Sequence, residues 1–125
     1  MALPPKLDQE LAELLESYKI EIQEESTLIC LVFKEFPIGD GFNLPTTDLL
    51  LRVPLSYPDA GPDMFYTDPR IVLASGAIPQ NAESLETYIG RQWRRFSWHH
   101  NRWNRISDNL TSYLEFVRER LRRKA

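Results

Sequence analysis

Both ends of the chain carry apolar residues at the spacing of an amphipathic helix. After Pro4 and Pro5 the apolar positions fall at i, i+4, i+7, i+8 and i+11 (Leu7, Leu11, Leu14, Leu15 and Tyr18). Acidic residues lie between them. A similar apolar face recurs towards the other end (Leu110, Tyr113, Leu114, Val117 and Leu121). Ser107 or Asp108 is suited to cap the start of this helix, and arginines follow its last turn. This pattern predicts an N-terminal helix and a C-terminal helix within residues 107–125.

The pattern between the two helices is that of β-strands. The segment Lys19–Glu25 (KIEIQEE) alternates apolar and polar residues, as a half-buried strand does. Thr27–Phe36 is rich in β-branched and aromatic residues, which is typical of a buried strand. Asp48–Pro58 predicts a third strand, in which Pro54 marks an edge or the end of pairing.

Proline and glycine punctuate the rest of the middle region. Residues 37–47 predict a loop, and the segment Tyr57–Pro79 leaves room only for short extended pieces at 63–67 and 70–74. Helix, antiparallel meander, irregular crossing and helix together predict an α+β fold. The length of 125 residues suits a single domain over residues 1–125.

Composition narrows the classes of protein. The chain is 42% hydrophobic and 26% charged, as in ordinary globular proteins. No apolar run approaches the roughly 20 residues that span a bilayer, and the N-terminus lacks the pattern of a signal peptide, so no membrane association is expected. A single cysteine excludes an internal disulfide and suits a reducing, cytoplasmic location. With one Cys and two adjacent His, a structural zinc site is not expected. No cofactor is expected either.

Charge is unevenly distributed along the chain. Residues 91–125 carry ten Lys or Arg against three acids, a net +7, whereas residues 1–90 carry a net −10. This polarity indicates either an acidic partner for the C-terminal part or electrostatic complementarity within the fold.

The segment Arg94–Trp103 (RRFSWHHNRW) concentrates the chemistry-bearing side chains. A serine hydroxyl needs an adjacent base to act as a nucleophile, and a histidine, whose ordinary pKa lies near 6.5, can supply one. An asparagine amide can donate to a developing oxyanion. The candidate site residues are therefore Ser97, His99, His100 and Asn101. Ser and His also commonly decorate turns and helix starts, which is the structural alternative.

The segment Leu49–Thr67, with Tyr57-Pro58 followed by Pro62 and an apolar-aromatic strand, resembles the corresponding part of ubiquitin-conjugating (UBC) enzymes. So does Trp103 ahead of the last helix. The resemblance extends from Leu7 to Leu121. It implies the UBC-like fold, with an N-terminal helix, an antiparallel β-meander and C-terminal helices.

A bacterial branch, the prokaryotic UBC-like family E, is more similar still. The similarity rests on YPDAGPDMFYTDP at 57–69, on the later Trp103…Asp108-x-Leu110 and on a Trp-x-x-Phe-Ser-x-His pattern (Trp93, Phe96, Ser97 and His99). The branch is found beside ubiquitin-like proteins and their activating enzymes. The resemblance therefore implies a ubiquitin-like protein, its activating enzyme and protein targets as partners.

The chain departs from the enzymes of this fold at the reactive residue. No cysteine follows Cys30, which lies within a predicted strand, and the His-Pro-Asn motif is missing. Ser97 stands roughly where the resemblance places the catalytic cysteine, and His99 matches a family position. The resulting hypothesis is acyl transfer through a Ser97 oxyester, with His99 as base and Asn101 or a backbone N–H polarising the carbonyl. Asp63 could orient the histidine, as the third member of a triad does.

Two other functions remain open. The chain could be a non-catalytic UBC-like scaffold that binds a ubiquitin-like protein or its activating enzyme. Alternatively, the arginines interleaved with aromatics at 91–105 could bind nucleic acid by tracking phosphates and stacking bases. The net charge of −3 and the acidic N-terminal part argue against nucleic acid.

Overall fold

Two helices pack against one face of a six-stranded antiparallel sheet in the computed structural model, which describes residues 3–123. The α+β class, the N-terminal helix and the antiparallel strands predicted from the sequence are confirmed. The elements in chain order are α1 (Pro5–Leu14), β1 (Ile20–Glu25), β2 (Leu28–Pro37), β3 (Thr46–Pro54), β4 (Phe65–Thr67), β5 (Leu85–Tyr88), β6 (Arg91–Phe96) and α2 (Leu110–Arg122).

The sheet consists of a meander followed by a hairpin. Its spatial order is β1-β2-β3-β4-β6-β5, so that β6 pairs with β4 and β5 forms an edge. The sequence did not predict the hairpin. Its turn places Ile89 at φ 47° and Gly90 at φ 78°. Two-residue hairpin turns of this kind usually carry Asn, Asp or Gly at both positive-φ positions, and a β-branched residue rarely adopts a positive φ. Here only Gly90 is a residue typical of the turn.

Side chains alternate between the two faces of the sheet. The inner face holds the main core, in which strand residues meet both helices (among them Leu7, Leu11, Leu31, Phe33, Leu49, Leu51, Tyr113 and Leu114). The outer face carries a smaller buried cluster (Cys30, Val32, Leu50, Tyr66 and Trp93). In β6 this alternation sends Trp93 to the outer cluster and Phe96 to the main core.

The helix ends differ from the predicted ones. α1 ends at Leu14, and Leu15, predicted on its apolar face, is 49% exposed at the C-cap. α2 is capped by Asn109 rather than by Ser107 or Asp108, because the Asn109 side chain accepts from the backbone N–H of Ser112 at 2.8 Å. A single helix ends the described chain where the resemblance implies several. Lys124 and Ala125, included in the prediction, lie outside the described residues.

The central crossing is also less regular than predicted. Of residues 63–67, Phe65–Thr67 form β4, whereas 70–74 form no strand, and the β-bridge between Leu73 and Phe42 is isolated. Two backbone N–H groups of this segment donate to the loop before β3 instead, that of Val72 to the Asn43 side chain at 3.0 Å and that of Ala74 to the Gly41 carbonyl at 2.8 Å. Neither helix of the described part combines the length and apolar character needed to cross a membrane.

Candidate functional site

The segment Arg94–Trp103 starts in β6 and continues as an irregular connection to α2. β6 pairs with β4 in antiparallel register, with Phe96 opposite Phe65. In such a pair, residues that follow one strand lie beside residues that precede the other. The register therefore brings His99 next to Asp63, although 36 positions separate them in the chain.

Ser97 is the first residue after β6 and is only partly buried. Its backbone N–H donates to the carbonyl of Asn81 at 2.9 Å, in the turn that precedes β5. Its Oγ accepts a hydrogen bond from Nε of Arg95 at 2.9 Å. Because Oγ is the acceptor in this bond, the hydroxyl hydrogen remains able to pass to a base.

Arg95 is held in place by the neighbouring strand β5 and the residue before it. One terminal nitrogen donates to Glu86 Oε2 at 2.6 Å, and the other donates to Ser84 Oγ at 3.4 Å. Since Arg95 and Ser97 are two apart on an extended chain, both project from the outer face. The guanidinium thus has a fixed direction, with Nε towards Ser97.

His99 forms a pair with Asp63. Its Nδ1 lies 2.5 Å from Asp63 Oδ1, and the side chains are 53% and 64% exposed. A carboxylate only accepts hydrogen bonds, so Nδ1 carries the hydrogen. In the neutral ring Nε2 then holds the lone pair that can take up a proton. This carboxylate-oriented imidazole has the chemistry of the base and orienter of a triad.

The second histidine lies in different surroundings. The His100 ring packs among three aromatic rings, with centroid distances of 5.2 Å to Phe116, 5.9 Å to Trp103 and 6.2 Å to Tyr113. Its Nδ1 is buried and makes no hydrogen bond within the described part of the chain. Asn101 follows as an exposed residue of the turn. These positions leave His99 as the histidine suited to proton transfer.

The tryptophans anchor the irregular connection. Trp103 Nε1 donates to the carbonyl of Pro58 at 2.9 Å, and its ring packs on Tyr57 with centroids 5.9 Å apart. A Cβ on Gly61 would lie 2.5 Å from the Trp103 ring, so only glycine allows this approach. Trp98 packs on the main core beneath the guanidinium of Arg120, 3.9 Å from its ring centroid. These contacts fix the path of the chain on both sides of His99.

Cys30 is fully buried within β2, in the outer-face cluster. Burial, reinforced by the nearby Glu25 carboxylate, raises the pKa of its thiol. A neutral, buried thiol is a poor nucleophile, so Cys30 has the character of a core residue. In the described part of the chain, no three His, Cys, Asp or Glu side chains cluster as metal ligands do.

Part of the C-terminal positive charge is balanced within the molecule. Arg91 bonds Asp48, Arg95 bonds Glu86 and Arg105 lies 3.4 Å from Asp59, so that acids of the first 90 residues face them. Two arginines of α2 and the arginine at its C-cap pair with acids of the same helix (Arg118 with Glu115, and Arg122 and Arg123 with Glu119). This pairing favours electrostatic complementarity within the fold over a basic nucleic-acid surface.

The sequence reasoning missed Arg95 and Glu86 as neighbours of Ser97. Residues i and i+2 lie on the same face of any strand, so a predicted strand at this position would have placed Arg95 beside Ser97. Residues 91–96, with the sequence RQWRRF, nevertheless lack the apolar alternation of a half-buried strand, since Arg94 occupies a buried position. Without the strand, the pairing of Arg95 with Ser97 could not be inferred.

Comparison with protein-family models matches residues 3–124 to the family described as Prokaryotic E2 family E. The chain belongs to this family. The resemblance found in the sequence is thereby confirmed, and the observed fold is consistent with an E2-like fold. Comparisons with curated proteins and with solved structures found no match. Family membership indicates a role related to ubiquitin-like protein conjugation, with ubiquitin-like proteins or activating enzymes as general partners.

Proposed function

We propose that this family member performs the carrier step of ubiquitin-like protein conjugation, with Ser97 as the acyl acceptor. The observation that carries the proposal is the arrangement around Ser97. A partly exposed hydroxyl accepts a hydrogen bond from a fixed guanidinium, and an Asp-oriented histidine follows two residues later. Family membership supports a role related to ubiquitin-like protein conjugation. The substrate we propose is a ubiquitin-like protein presented by its activating enzyme as a thioester.

The chemistry divides into two balanced transfers. In the first, Ser97 Oγ attacks the thioester carbonyl, His99 Nε2 takes the hydroxyl proton, and the C–S bond breaks as the thiolate receives that proton. In the second, an amine of a protein target attacks the oxyester carbonyl, the C–Oγ bond breaks with its electron pair going to Oγ, and the amine proton passes through His99 to Oγ. Asp63 keeps the imidazole oriented, and Asn101 or a backbone N–H polarises the carbonyl oxygen.

The test is a charging assay with the ubiquitin-like protein and its activating enzyme. We expect a covalent adduct that survives mild thiol and is cleaved by hydroxide. Ser97→Ala should abolish it, and Ser97→Cys should convert it to a thiol-sensitive adduct. Ser107→Ala, an exposed serine in the same connection, is the matched control and should charge normally. A thiol-sensitive wild-type adduct, or one that persists in Ser97→Ala, contradicts the proposal.

A non-catalytic scaffold is the second candidate function. The hydrogen-bond partners of Ser97 and His99 favour it. Ser97 Oγ bonds Arg95, His99 Nδ1 bonds Asp63, and no hydrogen bond joins the serine to the histidine among residues 3–123. Capture of the ubiquitin-like protein or its activating enzyme without any covalent adduct, unchanged in Ser97→Ala, would support this function instead.

A further inference from the structure

Arg95 belongs to a line of polar contacts that crosses the outer face of the sheet to Ser97. Arg52 bonds Glu25 at 2.8 Å and lies over the Tyr88 ring, 3.8 Å from its centroid. The Tyr88 hydroxyl donates to Glu86 Oε1 at 2.5 Å, and Glu86 Oε2 accepts from Arg95. These contacts leave the Arg95 guanidinium little freedom to turn away from Ser97.

The direction of the Arg95–Ser97 bond is chemically informative. Nε–H donates to Oγ, the atom that would carry the acyl group, and the distance of 2.9 Å is that of a full hydrogen bond. A cationic donor binds an anionic oxygen far more strongly than a neutral one. The bond therefore strengthens as negative charge develops on Oγ.

Negative charge develops on Oγ when an acyl group leaves it. An alkoxide is a much poorer leaving group than a thiolate, so aminolysis of an oxyester requires stabilisation at this atom. The bridging oxygen of an ester is a weak acceptor, and the alkoxide is a strong one. A donor at Oγ thus stabilises the transition state more than the loaded state, which is the condition for catalysis.

We propose that Arg95 is a catalytic residue of the acyl transfer, stabilising the Ser97 alkoxide as the acyl group passes to an amine. The inference rests on the proposed function. In this step the amine nitrogen bonds the acyl carbon, the C–Oγ bond breaks, and its electron pair goes to Oγ beside the Arg95 Nε–H. The proton that the amine loses passes through His99 to Oγ. Glu86 and Ser84 are positioning residues that act through Arg95.

The experiment loads the protein with its ubiquitin-like partner, removes the donor and follows discharge to a free amine. In Arg95→Gln we expect discharge from Ser97 to slow about 10- to 100-fold. Arg95→Lys keeps the charge but loses the guanidinium fork, and should be intermediate. Arg91→Gln is the matched control, since this arginine of β6 pairs with Asp48 instead, and its discharge should stay at the wild-type rate.

The leaving group separates catalysis from a structural role. In the Ser97→Cys background the leaving atom is a thiolate, which needs little stabilisation. We therefore expect Arg95→Gln to change discharge less than about twofold there. Equal slowing of the serine and cysteine proteins would assign Arg95 a structural role and overturn the inference.

The remaining outcomes are also decisive. Wild-type discharge from Ser97 in both Arg95→Gln and Arg95→Lys overturns the inference and leaves the proposed function intact. Absence of a Ser97 adduct on the wild-type protein overturns both. If Arg95→Gln unfolds, as a thermal melt would reveal, Arg95→Lys decides. Slowed discharge confined to the serine protein then supports the inference, and wild-type discharge rejects it.

Discussion

The two faces of the sheet use consecutive arginines of β6 in opposite ways. On the inner face Arg94 is 7% exposed and donates to the carbonyls of Ala82 at 2.7 Å and Pro69 at 2.9 Å. Desolvation lowers its pKa. On the outer face Arg95 bonds Glu86 and Ser97. Strand alternation separates a cation that secures loop backbone from one whose guanidinium donates to Glu86 and Ser97.

The largest expected effect breaks the inner side of this comparison. Arg94→Met should lower the free energy of unfolding by about 3 kcal/mol, because two carbonyls lose their charged donor. Arg95→Met, whose partners are partly exposed, should lose about 1 kcal/mol or less. Urea denaturation of both variants measures the difference. Equal losses would mean that the face of β6 does not set the role of its arginines.

A second inner-side prediction concerns the connection that follows β6. Gly61→Ala should destabilise the protein by about 2 kcal/mol, because the new Cβ overlaps the Trp103 ring and forces it from the Pro58 carbonyl. Tryptophan fluorescence during chemical unfolding would report both the lost stability and the displaced ring. Ala60→Ser, at the exposed neighbouring position, serves as the control and should unfold as wild type.

A third prediction tests the hydrogen bonds of Glu10, a residue of α1 that links Tyr57 to the start of α2. Glu10 Oε1 accepts from the Tyr57 hydroxyl at 2.6 Å and from the Leu110 backbone N–H at 2.7 Å. Burial, with the Glu10 carboxylate, raises the pKa of Tyr57, so the hydroxyl stays a donor at neutral pH. Tyr57→Phe should cost about 1.5 kcal/mol in thermal or chemical unfolding. A variant as stable as wild type would show that this bond does not stabilise the fold.

The smallest expected effect lies on the outer face and depends on pH. Partial burial opposes ionisation of Asp48, but hydrogen bonds from Arg91 and Lys34 prevail and lower its pKa. A carboxyl whose native pKa is lowered stabilises the fold above its ordinary pKa near 4 and loses that contribution as pH falls through the native value. Asp48→Asn should therefore be less stable than wild type at pH 7.

The expected loss of stability in Asp48→Asn disappears at acid pH. The stability difference between Asp48→Asn and wild type should shrink as the pH falls below about 4 and through the lowered native pKa of Asp48. Unfolding curves recorded across this range give the difference directly. A difference that stays constant with pH would contradict the ion-pair explanation, since the amide that replaces the carboxylate in the variant does not titrate.

Local pattern predicted the parts of the fold whose signals are local. The apolar face of Leu7 and Leu11 predicted α1, and the β-branched run around Ile29 predicted β2, because helical and strand periodicities are written into neighbouring residues. The hairpin at 85–96 escaped because Ile89 adopts a positive φ and Arg94 fills a core position. Both are cases in which tertiary context overrides local preference.

The candidate site, like the fold, has features that the local sequence predicts and features that depend on tertiary contacts. The sequence by itself determined the family, the α+β class and the place of Ser97 and His99 within one segment, since these depend on residue order and composition. Only the tertiary structure decided the partners. The β4–β6 register brings Asp63 to His99, strand alternation aims Arg95 at Ser97, and packing against α2 encloses His100 in aromatic rings. Contacts between distant residues depend on strand register and packing, which no short stretch of sequence encodes.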